Sequence, residues 1–214
     1  LNTTQITTFA KKVDGGYIVN GQKVWTSTAQ VANKIMLLAR TKKIEDCDKP
    51  TDGISIFYTD MDRSKIEATR IPKMGRKCVD SNSTFIDGLF VPDEDLIGEE
   101  GKGFSYILHS LNPERVLIAV EAIGIGQDAL RRATQYAKER QVFGRQIGKN
   151  QSIQHPLAEN WMYLESSLNM AMKSAWLYDN GMPCGAEANA AKFLGARAGY
   201  DAALQAVLTL GGMG

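Results

Sequence analysis

The spacing of the apolar residues changes once along this chain, near residue 100, and that change limits the fold more than any other feature. Before it, short β-rich runs alternate with turn residues; after it, apolar residues recur at helical spacing. Residues 5–13, 17–19, 34–41, 54–59, 66–71 and 83–91 read as strands, with Asp14-Gly15-Gly16 and Asn20-Gly21 supplying turn chemistry. Their short spacing predicts an antiparallel sandwich or barrel, not a βαβ array. Residues 103–110 read as a first turn or two of helix. Asn112-Pro113 then reads as an N-cap and first helical position. A long helix over 113–140 follows, apolar nearly all round from 116 to 126 and polar beyond. Residues 154–179 and 186–210 read as two more helices, the last stopped by Gly211. The expectation is an α+β chain: an antiparallel β-domain over 1–100, then an all-α bundle over 101–214, one helix short of four.

Composition removes several classes. Twenty-five Lys+Arg against 24 Asp+Glu leave a net charge of +1, so nothing calls for nucleic acid or an anionic membrane as partner. The longest apolar run contains Glu121 and falls far short of the roughly 20 residues a bilayer span needs. Cys47, Cys78 and Cys184 lie too far apart to suggest a disulfide framework, and His109 and His155 have no neighbouring ligands, so no metal site is expected. The polar N-terminus does not resemble a signal peptide. A chain that starts on Leu1 and stops on Gly211-Gly212-Met213-Gly214 reads as part of a longer protein.

Several residues carry both a structural and a chemical reading. Arg140, with Phe143-Gly144 close behind, is either a dipole complement with a loop staple, or an Arg for a diphosphate beside an aromatic for a base. Trp25, followed by Thr26-Ser27-Thr28, is either core or one wall of a planar heterocycle with a hydroxyl in reach. Glu114 is either a first-turn acid favoured by the helix dipole, or a carboxylate base that needs a dry site. Glu121, two turns on, is a second candidate carboxylate. The Gly98-to-Gly103 segment is not a phosphate loop and reads as a flexible turn between domains. Gly124-x-Gly126 reads as a site of close helix packing.

In order, these signals say more than they do singly. Gly21-Gln22-Lys23-Val24-Trp25 through Ser27 comes first, then Leu37-Leu38-Ala39-Arg40-Thr41, Gly75 before Phe85, and Val91-Pro92. Gly101-Lys102-Gly103-Phe104, Glu114-Arg115, Tyr136-Ala137-x-x-Arg140-x-x-Phe143-Gly144, Gln151 and Gly211-Gly212-Met213-Gly214 follow. This series resembles the acyl-CoA dehydrogenase family over essentially the whole chain, matching its middle β-domain and most of its C-terminal helical domain.

The resemblance implies FAD as cofactor and an acyl-CoA thioester as substrate. A carboxylate takes the α-proton while the β-hydrogen leaves as hydride to flavin N5. It implies that Trp25 lies against the flavin and that Ser27, where the family often has Thr, donates near it. Arg140, Phe143 and Gln151 would reach the diphosphate and adenosine part of an FAD held mainly by a neighbouring subunit, with Gly211 and Gly212 allowing close backbone approach. A homodimer or homotetramer would complete the site, and an electron-transfer flavoprotein would accept the electrons. The compartment would be a bacterial cytoplasm or a mitochondrial matrix. Family members place the base either beyond the Gly-Gly-x-Gly turn or just before an Arg on the long helix. Glu114 matches the second placement, with Arg115 holding substrate. Leu208 departs from a Gln that many members carry near the flavin. The family's N-terminal helices lie outside the match, so these 214 residues alone are expected to bind FAD weakly and turn over poorly. An oxidase-like or nitroalkane-type flavoenzyme, and a non-catalytic binding relative, remain open as alternatives.

Overall fold

The computed structural model describes residues 3–214. They form two compact units, one ending at Leu108 and the other running His109–Gly214.

The first unit is built on a seven-stranded sheet: β1 (Phe9–Val13), β2 (Gly16–Ser27), β3 (Lys34–Arg40), β4 (Ile54–Asp60), β5 (Ile66–Arg70), β6 (Ser81–Pro92) and β7 (Leu96–Ile97). The spatial order is β5-β6-β2-β1-β3-β4-β7. The expected antiparallel pairing holds except where β1 meets β3 in parallel, at Phe9 opposite Arg40. After the β1–β2 hairpin the chain crosses to the free edge of β1, so β3 runs in the same direction as β1. Along β6, Thr84 and Ile86 are buried while Ser83, Phe85 and Asp87 are exposed, the alternation of a strand with one face on a core. That core holds Tyr17, Val19, Leu37, Phe57, Ile86, Leu89 and Val91, with the Tyr17 and Phe57 rings edge to face at 5.0 Å.

Three sequence expectations fail in this unit. The first strand starts at Phe9, because Thr3–Gln5 forms a 3-10 turn. Asn20-Gly21 makes no turn; it lies inside β2, where a register shift between Val19 and Gly21 absorbs it. The Asn20 Oδ1 instead accepts a hydrogen bond from the Gly88 amide at 2.8 Å. The segment leading into the first helix is no flexible linker. The Gly101 amide donates to Ser55 Oγ at 2.8 Å, and the Tyr17 hydroxyl donates to Glu100 at 2.9 Å. Buried Arg40, 4% exposed, donates to the carbonyls of Thr4, Pro50 and Asp52.

The second unit contains most of α1 (Gly103–Glu139), then a small hairpin of β8 (Gln141–Val142) and β9 (Arg145–Gln146), α2 (Gln151–Asp179) and α3 (Gly185–Leu210). α1 is one helix that passes through Pro113, so Asn112 is not its N-cap. The proline has no N–H, so the carbonyl of His109 loses its helical donor. α3 is rich in alanine and glycine and approaches α1 closely: Gly195 faces Ala119 and Gly199 faces Ala122. Ile123, Leu130, Leu164, Ala198 and Ala202 form the apolar cluster of the three helices. Of the Gly124-x-Gly126 pair only Gly126 packs, against Leu164 and Gly199; Gly124 faces open space. Among the described residues no helix is long and apolar enough to cross a membrane, and no group of His, Cys, Asp and Glu could hold a metal.

Candidate active site

Trp25 owes its position to a defect in the sheet. β2 and β6 stay in register from Gly21 to Val24 opposite Ser83 and resume at Thr26 opposite Asn82, leaving Trp25 as an extra residue. Its φ is 67°, a left-handed conformation that costs a bulky residue on the order of 1–3 kcal/mol. A bulge re-aims a side chain, and here the indole is 59% exposed at the end of a strand whose other end lies in the core. Ser27 is exposed two residues on, its hydroxyl without a hydrogen bond among the described residues.

The segment after the bulge is held from beneath. Thr28, also left-handed at φ 58°, donates its amide to the Asp80 carbonyl at 3.3 Å. Asn82, fully buried, donates its amide to the Thr26 carbonyl at 3.0 Å and to the Asp80 carboxylate. Gln30 donates to Asn82 Oδ1 at 2.8 Å and to the Ala68 carbonyl at 2.9 Å. The Asn82 hydrogen bond holds the Asp80 carboxyl below its ordinary range. Lys23, partly buried on the same strand, has its ammonium pushed down to about 8 by burial. Sequence reasoning missed Asn82, Gln30 and Asp80, because no local pattern marks residues that support a bulge on another strand.

Phe143 is the second strained aromatic. Phe143-Gly144 is the two-residue loop between β8 and β9, with φ of 52° and 77°. Both central residues of such a hairpin turn need positive φ, which Gly144 accepts freely and Phe143 does not. The Phe143 side chain is fully exposed at the tip and covers nothing in this chain. Arg140 stands at the foot of the hairpin. Its carbonyl accepts the Ile147 amide at 2.9 Å, while its guanidinium is exposed and pairs with no carboxylate among the described residues. Gln151 is exposed as the first residue of α2, on the far side of the hairpin in sequence. The hairpin itself was not anticipated, although a Gly closing a two-residue loop is its known signal.

Gly211 caps α3 with φ 61°, its amide reaching the carbonyls of Leu208 and Val207. A side chain at Gly212 would meet nothing within 4 Å, so nothing in this chain requires glycine there. Leu208 is 64% exposed. Glu114 lies about three turns inside α1. The first-turn dipole explanation for this acid therefore does not apply. Its carboxylate is exposed. Arg115 is half-buried and donates to Asn112 Oδ1 at 3.0 Å. Glu121 is half-buried.

Residues 101–214 match the model of the acyl-CoA dehydrogenase C-terminal domain, and residues 1–89 that of the acyl-CoA dehydrogenase middle domain. The chain belongs to the acyl-CoA dehydrogenase family. Mitochondrial isovaleryl-CoA dehydrogenase of Oryza sativa subsp. japonica is 34% identical over 206 residues, 96% of this chain and 49% of that protein. The solved butyryl-CoA dehydrogenase of Megasphaera elsdenii superposes with a TM-score of 0.91 at 30% identity, over 98% of this chain and 54% of that one. The FAD complex of PigA does so with a TM-score of 0.91 at 26% identity, again over 98% and 54%. The chain thus spans about half the length of the family members it matches.

Proposed function

We propose that this chain is the middle and C-terminal part of an FAD-dependent dehydrogenase that removes two hydrogens across the Cα–Cβ bond of an acyl-CoA thioester. The observation that carries the reading is the pair of exposed aromatics held at positive φ, Trp25 and Phe143, with an unpaired Arg140 at the foot of the second. Phe143 covers nothing in this chain, Trp25 is more exposed than buried, and each costs backbone strain. Each suits one part of a long planar anion: an indole for a flavin, a guanidinium for a diphosphate, a phenyl ring for adenine. The FAD bound by PigA, a structural neighbour, agrees with that choice of ligand.

FAD, when bound, would supply the hydride acceptor that the β-hydrogen needs. Trp25 would cover one side of the ring and Ser27 would donate its free hydroxyl to the ring edge. Gly211 and Gly212, with no side chains, let the end of α3 approach the same cofactor. Glu114 takes the α-proton. An exposed carboxylate is too weak a base for that, so the reading requires substrate or further protein to dry it. Arg115, tied to Asn112, would orient the thioester. The domain limits are those of the sequence reading, a β-domain over 1–100 and a helical domain over 101–214.

We further propose that the site is completed by a second subunit, in a homodimer or homotetramer. Trp161, Trp176, Phe193 and Leu204 expose an apolar surface on α2 and α3 that suits such an interface. An electron-transfer flavoprotein would take the electrons, in a bacterial cytoplasm or a mitochondrial matrix. The test is Glu114→Gln in protein reconstituted with excess FAD. Single-turnover bleaching of the flavin by a short acyl-CoA should slow at least a hundredfold with FAD content unchanged. Equal rates would remove Glu114 from the role. PigA, solved with FAD and proline, gives a second reading some weight: a substrate other than a thioester on the same scaffold. Flavin bleaching by an amino acid but not by acyl-CoA would select it.

A further inference from the structure

We infer that Asn82, backed by Gln30, is the positioning residue that fixes the Trp25 indole in its bulge. The inference deepens the flavin reading above and rests on it for its purpose. It rests on different observations for its geometry.

A bulge leaves the strand carrying it free to slip or to flatten, and Trp25 gains nothing locally from its left-handed backbone. Something must over-determine it. On the upstream side the ladder does so, through Val24 opposite Ser83. On the downstream side β2 ends after Ser27 opposite Ser81, so the ladder next to the bulge rests on the pair Thr26–Asn82. That pair is reinforced by side chains. The Asn82 amide nitrogen bridges the Thr26 carbonyl and the Asp80 carboxylate, and its oxygen takes the Gln30 amide. Gln30 follows the left-handed Thr28, whose amide is itself tied to the Asp80 carbonyl. One fully buried amide therefore links both sides of the turn that follows Trp25 to the neighbouring strand. Only a side chain with a donor and an acceptor at this length can do so. Leucine has the shape of Asn but would leave the Thr26 carbonyl and the Gln30 amide without their partners.

The test uses this chain with Trp161 and Trp176 replaced by Phe, so that Trp25 is the single tryptophan, and every variant is compared with that same double-Phe background because both replaced residues lie on the proposed interface. Time-resolved anisotropy reports its freedom without any cofactor, and FAD titration reports the consequence. Asn82→Leu should release the indole to the motion of a solvent-exposed tryptophan and weaken FAD about three- to tenfold, the loss of one or two buried hydrogen bonds. Ile35→Val, a core change on β3 outside the network, serves as the control for general loss of stability. It should lower the unfolding midpoint and leave Trp25 anisotropy and FAD affinity as they were. Should Asn82→Leu fail to fold, Gln30→Ala at an exposed position is read the same way, with a smaller release expected. Unchanged Trp25 anisotropy in a folded Asn82 or Gln30 variant overturns the inference. A released indole with unchanged FAD affinity upholds the clamp and removes Trp25 from the flavin site instead.

Discussion

Replacing Gly199 by alanine should destabilise the helical unit, and the same replacement at Gly124 should stabilise it. Both glycines lie inside helices, so both changes gain the same intrinsic helix propensity, about 1 kcal/mol. They differ in what the added methyl meets. At Gly199 it would lie 2.3 Å from the Ala122 carbonyl oxygen and 2.8 Å from the carbonyl carbon, both backbone atoms of α1 that cannot rotate away. Overpacking of this kind costs about 1–3 kcal/mol, and a backbone obstacle places it at the upper end, leaving a net loss of about 2 kcal/mol. At Gly124 the methyl meets nothing within 4 Å and the propensity gain survives whole. Thermal unfolding followed by helical circular dichroism should show Gly199→Ala melting about 4–8 °C lower and Gly124→Ala about 2–4 °C higher than the parent. Two variants that shift in the same direction would refute the claim that α1 and α3 are in backbone contact at Ala122.

Phe143→Asn should raise stability by a few tenths to about 1 kcal/mol, because Asn tolerates the left-handed turn. The same variant should bind FAD about ten- to a hundredfold more weakly for want of a stacking surface. Urea denaturation and FAD titration of one preparation give both numbers, and a parallel fall in both would contradict the reading. Lys23 titrates below its ordinary 10.5, near 8, so the unfolded chain binds the extra proton between those values. Stability should therefore climb from pH 8 toward 10.5 as the buried ammonium is neutralised, and the cost is constant below pH 8. Lys23→Met should flatten that part of the pH profile of unfolding; an unaltered slope would assign it to another group. Tyr17→Phe removes the hydrogen bond to Glu100 from beneath the sheet-to-helix segment and should cost about 1 kcal/mol in a urea titration.

The division into strands and helices was legible because hydrophobic period is a local property, and the ends of β4, α2 and α3 fell close to where that period placed them. Features set by distant pairing were not legible. Asn20-Gly21 has the composition of a turn, yet pairing with β6 carries the strand through it and moves the kink into a register shift. Asn112-Pro113 has the composition of a helix start, yet α1 already runs from Gly103. Apolar residues on both sides of the proline are half-buried, which offsets the missing hydrogen bond. At the candidate site the residue types stood out in sequence: a Trp before hydroxyls, an Arg three residues before a Phe. Their strain did not, because a left-handed Trp25 follows from a mismatch with β6 that no window around residue 25 contains. The support from Asn82 and Gln30 was hidden for the same reason.

The central proposal is that FAD meets both the Trp25 bulge and the Arg140–Phe143 hairpin, each supplied by a different subunit. Its most direct measurement is equilibrium binding of FAD, riboflavin and ADP to the parent chain, Trp25→Ala and Arg140→Ala. The account predicts that FAD weakens in both variants, riboflavin only in the first and ADP only in the second. FAD affinity that ignores either substitution would contradict it.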